Sequence, residues 1–285
     1  MPILILGGRG NLGTQLTKLF SEDYITVSLG REDLDVLDFS ALASKIRELK
    51  PELIINAVAF NAVDKCEDKE GYQRAFQLNV RLPEALAELA LEIGSVLMHY
   101  STDYVFSGTE DKQSFSEDDT PNPINKYGET KFQGEREILR RQPSGLRHYI
   151  IRTSKLFGPA GISPNAKASF FDVMLDLAEQ KKELPVVNEE LSCFTYTPDL
   201  AAASRRLWET DAPYGIYHLT NGGAVNWYEV AVELFHQKRM TVSLRPVRSE
   251  NLFRPARRPK FSVLQNTKTH KLRNWKEALK DYLDL

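Results

Sequence analysis

An apolar run, Ile3-Leu4-Ile5-Leu6, leads without a break into Gly7-Gly8-Arg9-Gly10-Asn11-Leu12-Gly13, and an amphipathic pattern follows. This arrangement limits the fold more than any other feature of the chain. A four-residue buried strand, a glycine turn and a helix make the first unit of an alternating α/β protein. Both Gly7/Gly10/Gly13 and Gly8/Gly10/Gly13 give spacings that let a backbone turn tightly and approach a diphosphate. The helix start then offers free N–H groups and the positive end of its dipole. A structural tight turn is the plain alternative. The position directly after a strand favours the phosphate reading.

The next 150 residues repeat the alternation. Tyr24–Leu29, Leu53–Val58, Val96–Ser101 and Tyr149–Thr153 read as buried strands, and Gln73–Ile93 as a helix with Pro83 at a boundary or kink. Strands alternating with helices imply a parallel sheet with right-handed crossovers, the doubly wound Rossmann class. Beyond Gly158 the pattern loosens. Pro159, Gly161, Pro164 and Asn165 form a loop. Helices are expected near Phe170–Gln180, Asp199–Trp208, Trp227–His236 and Trp275–Leu285, with a strand at Gly215–Leu219. The expected division is a dinucleotide-binding domain over residues 1–157, with returning elements near 195–220. A smaller α+β substrate domain takes most of residues 158–285.

Composition removes several function classes. A net charge of −2 gives no global field for nucleic acid. The longest apolar runs fall far short of the ~18 residues a membrane helix needs, and the start does not read as a signal peptide. The two cysteines, Cys66 and Cys193, and five scattered histidines match no metal-ligand spacing, so no metal is expected. A cytoplasmic location is the expectation. The acidic stretch Glu110–Asp119 reads as an exposed loop.

The second strand ends Val27-Ser28-Leu29-Gly30-Arg31, with no acid to hold a ribose. Arg31, with Arg9 from the glycine turn, suits a 2′-phosphate through its planar fork of donors. NADPH is therefore the expected cofactor, with NADH as the alternative. Among eleven tyrosines only Tyr127 has a lysine, Lys131, four residues on. That spacing puts both on one helix face, where an ammonium would draw the phenol pKa down from about 10 toward neutrality. Such a tyrosine can protonate a carbonyl oxygen as hydride reaches carbon. Upstream, the strand ending Tyr100-Ser101-Thr102-Asp103 places hydroxyls where a parallel sheet carries its ligand crevice.

Together these segments resemble the extended short-chain dehydrogenase/reductases, and more narrowly the dTDP-4-dehydrorhamnose reductase family. The matching segments are Asn56–Lys65, Tyr100–Phe106, Ile124–Gly128, Ile151–Ser154, Tyr217–Thr220 with Trp227-Tyr-Glu, and Arg254–Pro259 leading to Ser262-Val-Leu. They span nearly the whole chain in family order. The resemblance implies reduction of the 4-keto group of a nucleotide-linked 6-deoxy sugar, in surface polysaccharide synthesis. It implies that Thr102 polarises the keto oxygen, that Tyr127 protonates it, and that Lys131 tunes Tyr127 and holds the nicotinamide ribose. Asn11 and Leu12 would approach the pyrophosphate, and Asp38 and Phe39 would flank the adenine. Ala59, Phe60 and Asn61, with Tyr100 nearby, would line the cofactor, while Thr102 and Asp103 touch the sugar. The family admits a homodimer.

The chain also departs from the family pattern. Lys155 follows Arg-Thr-Ser, where the family usually has Trp. Glu189-Glu-Leu-Ser-Cys-Phe194-Thr195 stands for Asp-Gln-x-Gly-x-Pro-Thr, and Phe261 replaces an Asn before Ser262. These departures are expected on the substrate side. The basic stretch Arg245–Lys260 reads either as a diphosphate clamp, with Arg258 the best candidate, or as a helix-to-loop surface with salt bridges. Two other functions compete with the reductase. A nucleotide-sugar epimerase normally holds NAD tightly, and the missing acid argues against it. A non-catalytic NADP-binding subunit, similar to the regulatory subunit of methionine adenosyltransferase, is disfavoured by the intact Thr102, Tyr127 and Lys131.

Overall fold

The computed structural model describes residues 1–108, 112–164 and 166–285. Its strands are β1 (Ile3–Leu6), β2 (Thr26–Leu29), β3 (Leu53–Asn56), β4 (Val96–Thr102), β5 (Arg147–Thr153), β6 (Leu156–Phe157), β7 (Glu183–Val187), β8 (Thr195–Tyr196), β9 (Gly215–His218) and β10 (Ser243–Val247). The α-helices are α1 (Asn11–Phe20), α2 (Phe39–Leu49), α3 (Lys69–Phe76), α4 (Leu82–Ile93), α5 (Lys126–Leu139), α6 (Phe170–Gln180), α7 (Thr197–Glu209), α8 (Trp227–Gln237) and α9 (Trp275–Leu283).

Six strands form one parallel sheet in the order β2-β1-β3-β4-β5-β9. The order reverses direction between β1 and β3, so a crevice opens outside their carboxyl ends. The period-2 rule explains why these strands read as continuous apolar runs. Ile3, Ile5, Ile55, Met98 and Ile151 face α1 and α7, packing on Leu16, Phe20, Leu200 and Leu207. Leu4, Leu6, Ile54, Leu97 and Ile150 face the other way, onto Leu42, Ile46, Leu86 and Ile138. A third apolar cluster joins Phe157, Phe171, Phe194, Tyr196, Leu234, Trp275 and Leu279.

The glycine turn adopts the geometry its spacing requires. Gly7 has φ 77, and the backbone of Gly13 packs so closely on the turn that a Cβ there would stand 2.1 Å from the Gly7 carbonyl oxygen. Gln73–Ile93, read as one helix, is part of a longer run: α3 and α4 are joined by a π-helical segment, Gln77–Arg81. Pro83 lies in the first turn after that segment, where a missing N–H is tolerated. The π segment puts Asn79 in register to accept from Phe60 N at 2.9 Å and donate to Thr130 Oγ1 at 3.0 Å.

Two expectations fail here. Of the acidic stretch, Glu110 and Asp111 lie outside the described residues, but Phe115 and Glu117 are buried rather than exposed. Phe115 stacks on Phe106 at 4.3 Å. Glu117 accepts from Thr267 Oγ1 at 2.6 Å and from the backbone of His218. The Arg245–Lys260 stretch begins as a strand, since Arg245 belongs to β10, which pairs in parallel with β7. Asn165, expected in the loop after Gly158, also lies outside the described residues. No helix among the described residues is long and apolar enough to cross a membrane.

Candidate active site

The strands of the main sheet meet the crevice by their carboxyl ends, and α1 and α5 by their first turns. Thr102 is the last residue of β4 and pairs in register with Thr153 of β5. Its Oγ1 donates to Asp103 Oδ1 at 3.1 Å and accepts from Tyr104 N at 3.2 Å. The Asn125 side chain caps α5 by accepting from Gly128 N at 2.8 Å. The first turn of α5 lies directly on the segment after β4, because a Cβ on Gly128 would meet the Tyr104 carbonyl oxygen at 2.1 Å. That close approach brings Tyr127 to Thr102. Their side chains lie side by side, and the Tyr104 ring meets the Tyr127 ring edge-on.

Lys131, one turn further along α5, is buried. Its ammonium donates to the Tyr100 carbonyl at 2.6 Å and lies 3.4 Å from His99 Nε2. Burial lowers its pKa to about 8, with the charge of Glu135 opposing. Desolvation and the Lys131 charge hold His99 well below its usual pKa, so it faces the ammonium as neutral imidazole. The amide of Asn56, at the end of β3, meets His99 Nδ1 at 3.0 Å.

Lys131 was expected to draw the Tyr127 phenol toward neutrality. In this conformation burial instead pushes that phenol above its ordinary pKa; the Thr102 hydroxyl opposes, and the charge of Asp103 adds to the rise. The lysine points at Tyr100 and His99 instead of the phenol. Tyr127 therefore holds its proton across the neutral range, the state a proton donor needs.

Asp103 is buried, with Oδ2 accepting from Ser262 Oγ at 2.6 Å. Burial raises its pKa, opposed by Ser262, Lys155, Ser154 and Thr102. Lys155 follows β5 with φ 37, a left-handed conformation uncommon outside glycine. The β6–β8 pairing holds it against the 189–195 stretch, where its carbonyl accepts from Thr195 N at 3.2 Å. Phe261, expected on the substrate side, instead packs its ring on Phe115. Ser262 is the member of that segment that reaches the site.

Arg245, Arg254 and Arg258 of the basic stretch find distant carboxylates. Arg258 is bidentate to Asp64, at 2.9 and 2.7 Å, and also donates to the Ala256 carbonyl. In this structure its fork is thus engaged by Asp64. Arg254 is engaged by Glu190 and Ser249. The cleft of about 670 Å³ beside them is lined by Ser107, Phe253, Arg254, Arg257, Arg258 and Lys260, among others.

The cofactor-side residues gather at the β1/β3 crevice, although not all in their expected roles. The first turn of α1 carries no acid, and Gly10, its N-cap, has no side-chain bond. The cradle is therefore suited to an anion. Asn11 is bonded to a neighbouring loop, accepting from Gly161 N at 3.1 Å and donating to the Lys167 carbonyl at 2.9 Å. Leu12 is buried under the turn. Ala59 and Asn61 are exposed after β3 and Phe60 is half-buried, all on the loop that Asn79 holds.

Three cofactor-side expectations need revision. The end of β2 does have an acid. Asp33 folds back to accept from Gly30 N at 2.8 Å and from Arg9 at 2.8 Å, while Glu32 also pairs with Arg9. Arg31 is exposed, with no ion pair among the described residues. Asp38 caps α2 through Ser40 N and Ala41 N, so its carboxylate already has a structural task, and Phe39 packs partly into the core beneath. The Tyr100 side chain is buried, its hydroxyl on Ser204 at 2.7 Å; only its carbonyl meets the site.

Sequence reasoning missed His99, Asn56, Asn79 and Ser262. Asn56 and His99 show in sequence as polar residues in otherwise apolar strands, and Asn56 and Ser262 lay within the matching segments without a role being read for them.

A doubly wound parallel sheet, a glycine turn after β1, and a Tyr-x-x-x-Lys helix beside a strand ending in threonine define an extended short-chain dehydrogenase/reductase. The family model described as RmlD substrate binding domain matches residues 1–285, and the chain belongs to that family. A dTDP-4-dehydrorhamnose reductase of Streptomyces griseus is 36% identical over 287 residues, covering 97% of this chain and 91% of the relative. The solved structure of a dTDP-4-dehydrorhamnose reductase from Clostridium acetobutylicum is similar with TM-score 0.91 at 36% identity, covering 100% of this chain and 99% of that one. A dTDP-4-dehydrorhamnose reductase from Bacillus anthracis, solved in complex with NADP, matches with TM-score 0.91 at 30% identity, covering 99% and 98%.

Proposed function

We propose that this protein is an NADPH-dependent oxidoreductase that reduces the 4-keto group of a nucleotide-linked 6-deoxy sugar, making a deoxysugar donor for surface polysaccharide. The observation that carries this reading is the Tyr127 phenol, set beside Thr102 at the carboxyl end of β4 by the close approach of Gly128 to Tyr104, with Lys131 one helical turn away. The names of the relatives supply the substrate class.

In this reading Thr102 and Tyr127 both bond the keto oxygen, and Tyr127 gives up its proton as charge develops there. Burial keeps that proton in place until it is needed. The Lys131 ammonium, fixed by the Tyr100 carbonyl and His99, holds the nicotinamide ribose one helical turn from Tyr127. NADPH, when bound, supplies the hydride, and NADH is the weaker carrier. Gly7, Gly10, Asn11, Leu12 and Gly13 surround its pyrophosphate. Arg31 and Arg9 meet the 2′-phosphate, Asp38 and Phe39 border the adenine, and Ala59, Phe60 and Asn61 line the crevice. Residues 1–157, with the returning 195–220 segment, carry the cofactor. Residues 158–285 supply most of the sugar site, with Asp103 and Lys155 at the join.

The test is NADPH oxidation by the purified protein with dTDP-, UDP- and GDP-linked 4-keto-6-deoxy sugars. Turnover of at least one is expected. No turnover with any of them would overturn the reading.

A further inference from the structure

Lys155 brings a positive charge to the end of β5, two residues past the strand partner of Thr102. Its Nζ lies 4.1 Å from the centroid of Trp227 and 5.3 Å from that of Phe194, and it donates to the Glu190 carbonyl at 3.2 Å. The carboxylate of Glu190 belongs to other donors: Arg254, Ser249 Oγ, and Trp227 Nε1 at 3.0 Å. No carboxylate lies within ion-pair distance of Lys155 among the described residues. The ammonium thus rests on two π faces and one carbonyl, beside the Asp103 that bonds Thr102. An ammonium has three donors, and among the described residues this one has a single hydrogen-bond acceptor. The left-handed backbone at Lys155 adds strain of the sort that persists where a function requires it.

We propose that Lys155 is a specificity-determining residue of the sugar site, whose ammonium donates to a ring hydroxyl of the bound deoxysugar. The assignment rests on the reductase reading for the identity of the sugar. The groups that face the ammonium are Asp103, Glu190, Cys193 and Arg254. Burial lowers the Lys155 pKa to about 8, with Asp103 and Glu190 opposing. The donor form is present at neutral pH and disappears as pH rises through about 8.

The experiment is calorimetric titration of dTDP-rhamnose into the full-length protein with NADP⁺ present, for wild type and Lys155→Met. Wild type should bind about ten-fold more tightly at pH 7, the factor expected for one charge-assisted hydrogen bond. That advantage should vanish by pH 9.5. A 2-deoxy or 3-deoxy sugar analogue lacking the contacted hydroxyl should bind wild type as weakly as the variant, and be insensitive to the substitution. Equal affinities for the two proteins at pH 7, or an equal effect of the variant on every analogue, would overturn the proposal. A lysine that only braces Trp227 would lower thermal stability and leave these differences at zero. Wild-type turnover, measured alongside, tests the reductase reading separately.

Discussion

One methyl group added at Gly10 and one at Gly13 should have separable consequences, although both lie in the same turn. A Cβ on Gly13 would sit 2.1 Å from the Gly7 oxygen, 2.7 Å from Gly8 Cα and 2.8 Å from Gly7 C, all of them backbone atoms. To restore ordinary contact, α1 must retreat by more than an ångström, disturbing the packing of Leu12, Leu16 and Phe20. Overpacking of this kind costs about 1–3 kcal/mol. For a chain of this size that lowers Tm by roughly 2–5 °C. At Gly10 the nearest atom to a Cβ is the Gly7 oxygen at 3.4 Å, an ordinary contact, and φ is −75. Gly10→Ala should therefore fold with Tm within about 2 °C of wild type, losing only the small N-cap preference. Its methyl projects where the pyrophosphate must approach, so NADPH affinity should fall about ten-fold or more. Calorimetric scanning and fluorescence titration of NADPH read the two effects separately. Wild-type NADPH affinity in Gly10→Ala would refute the placement of the pyrophosphate, and an unchanged Tm in Gly13→Ala would refute the packing argument.

Arg31→Ala should weaken NADPH several-fold more than NADH, because the exposed guanidinium at the end of β2 has no ion pair among the described residues; equal losses in titrations of the two would place selectivity elsewhere. Glu135→Gln should lower Tm markedly, since it leaves the buried Arg152 without its partner at 2.7 Å, a change that costs about 3–5 kcal/mol. The same variant tests the pH dependence. Lys131 acts as an ammonium, so kcat should fall as pH rises through about 8, and losing the Glu135 charge should move that limb to lower pH. An unmoved limb in kcat–pH profiles would detach it from Lys131.

The strands of the main sheet were legible because a doubly covered parallel strand is apolar on both faces, as in Ile3–Leu6 and Leu53–Asn56. The small sheets were not. β7 and β10 each contain a proline, Pro185 and Pro246, a residue that argues against a strand in sequence and is tolerated in a two-stranded edge. Tyr127 and Lys131 stood out by their spacing once it was read together with the Ser101-Thr102 strand end upstream. Their neighbours did not, because His99 and Asn56 reach Lys131 through strand register, which spacing does not report. Long-range charge pairing was hidden for the same reason. Arg258 and Asp64 stand 194 residues apart, and the apparent lack of an acid at β2 reflected a turn that carries Asp33 back to Gly30.

Tyr127 as the proton donor is the central claim, and Tyr127→Phe tests it most directly. The substitution keeps the ring against Tyr104 and removes only the hydroxyl beside Thr102. With a nucleotide-linked 4-keto-6-deoxy sugar that wild type reduces, kcat should fall by about 10²-fold or more while NADPH affinity stays within about two-fold. A near-wild-type kcat in a variant that folds and binds NADPH normally would contradict the account.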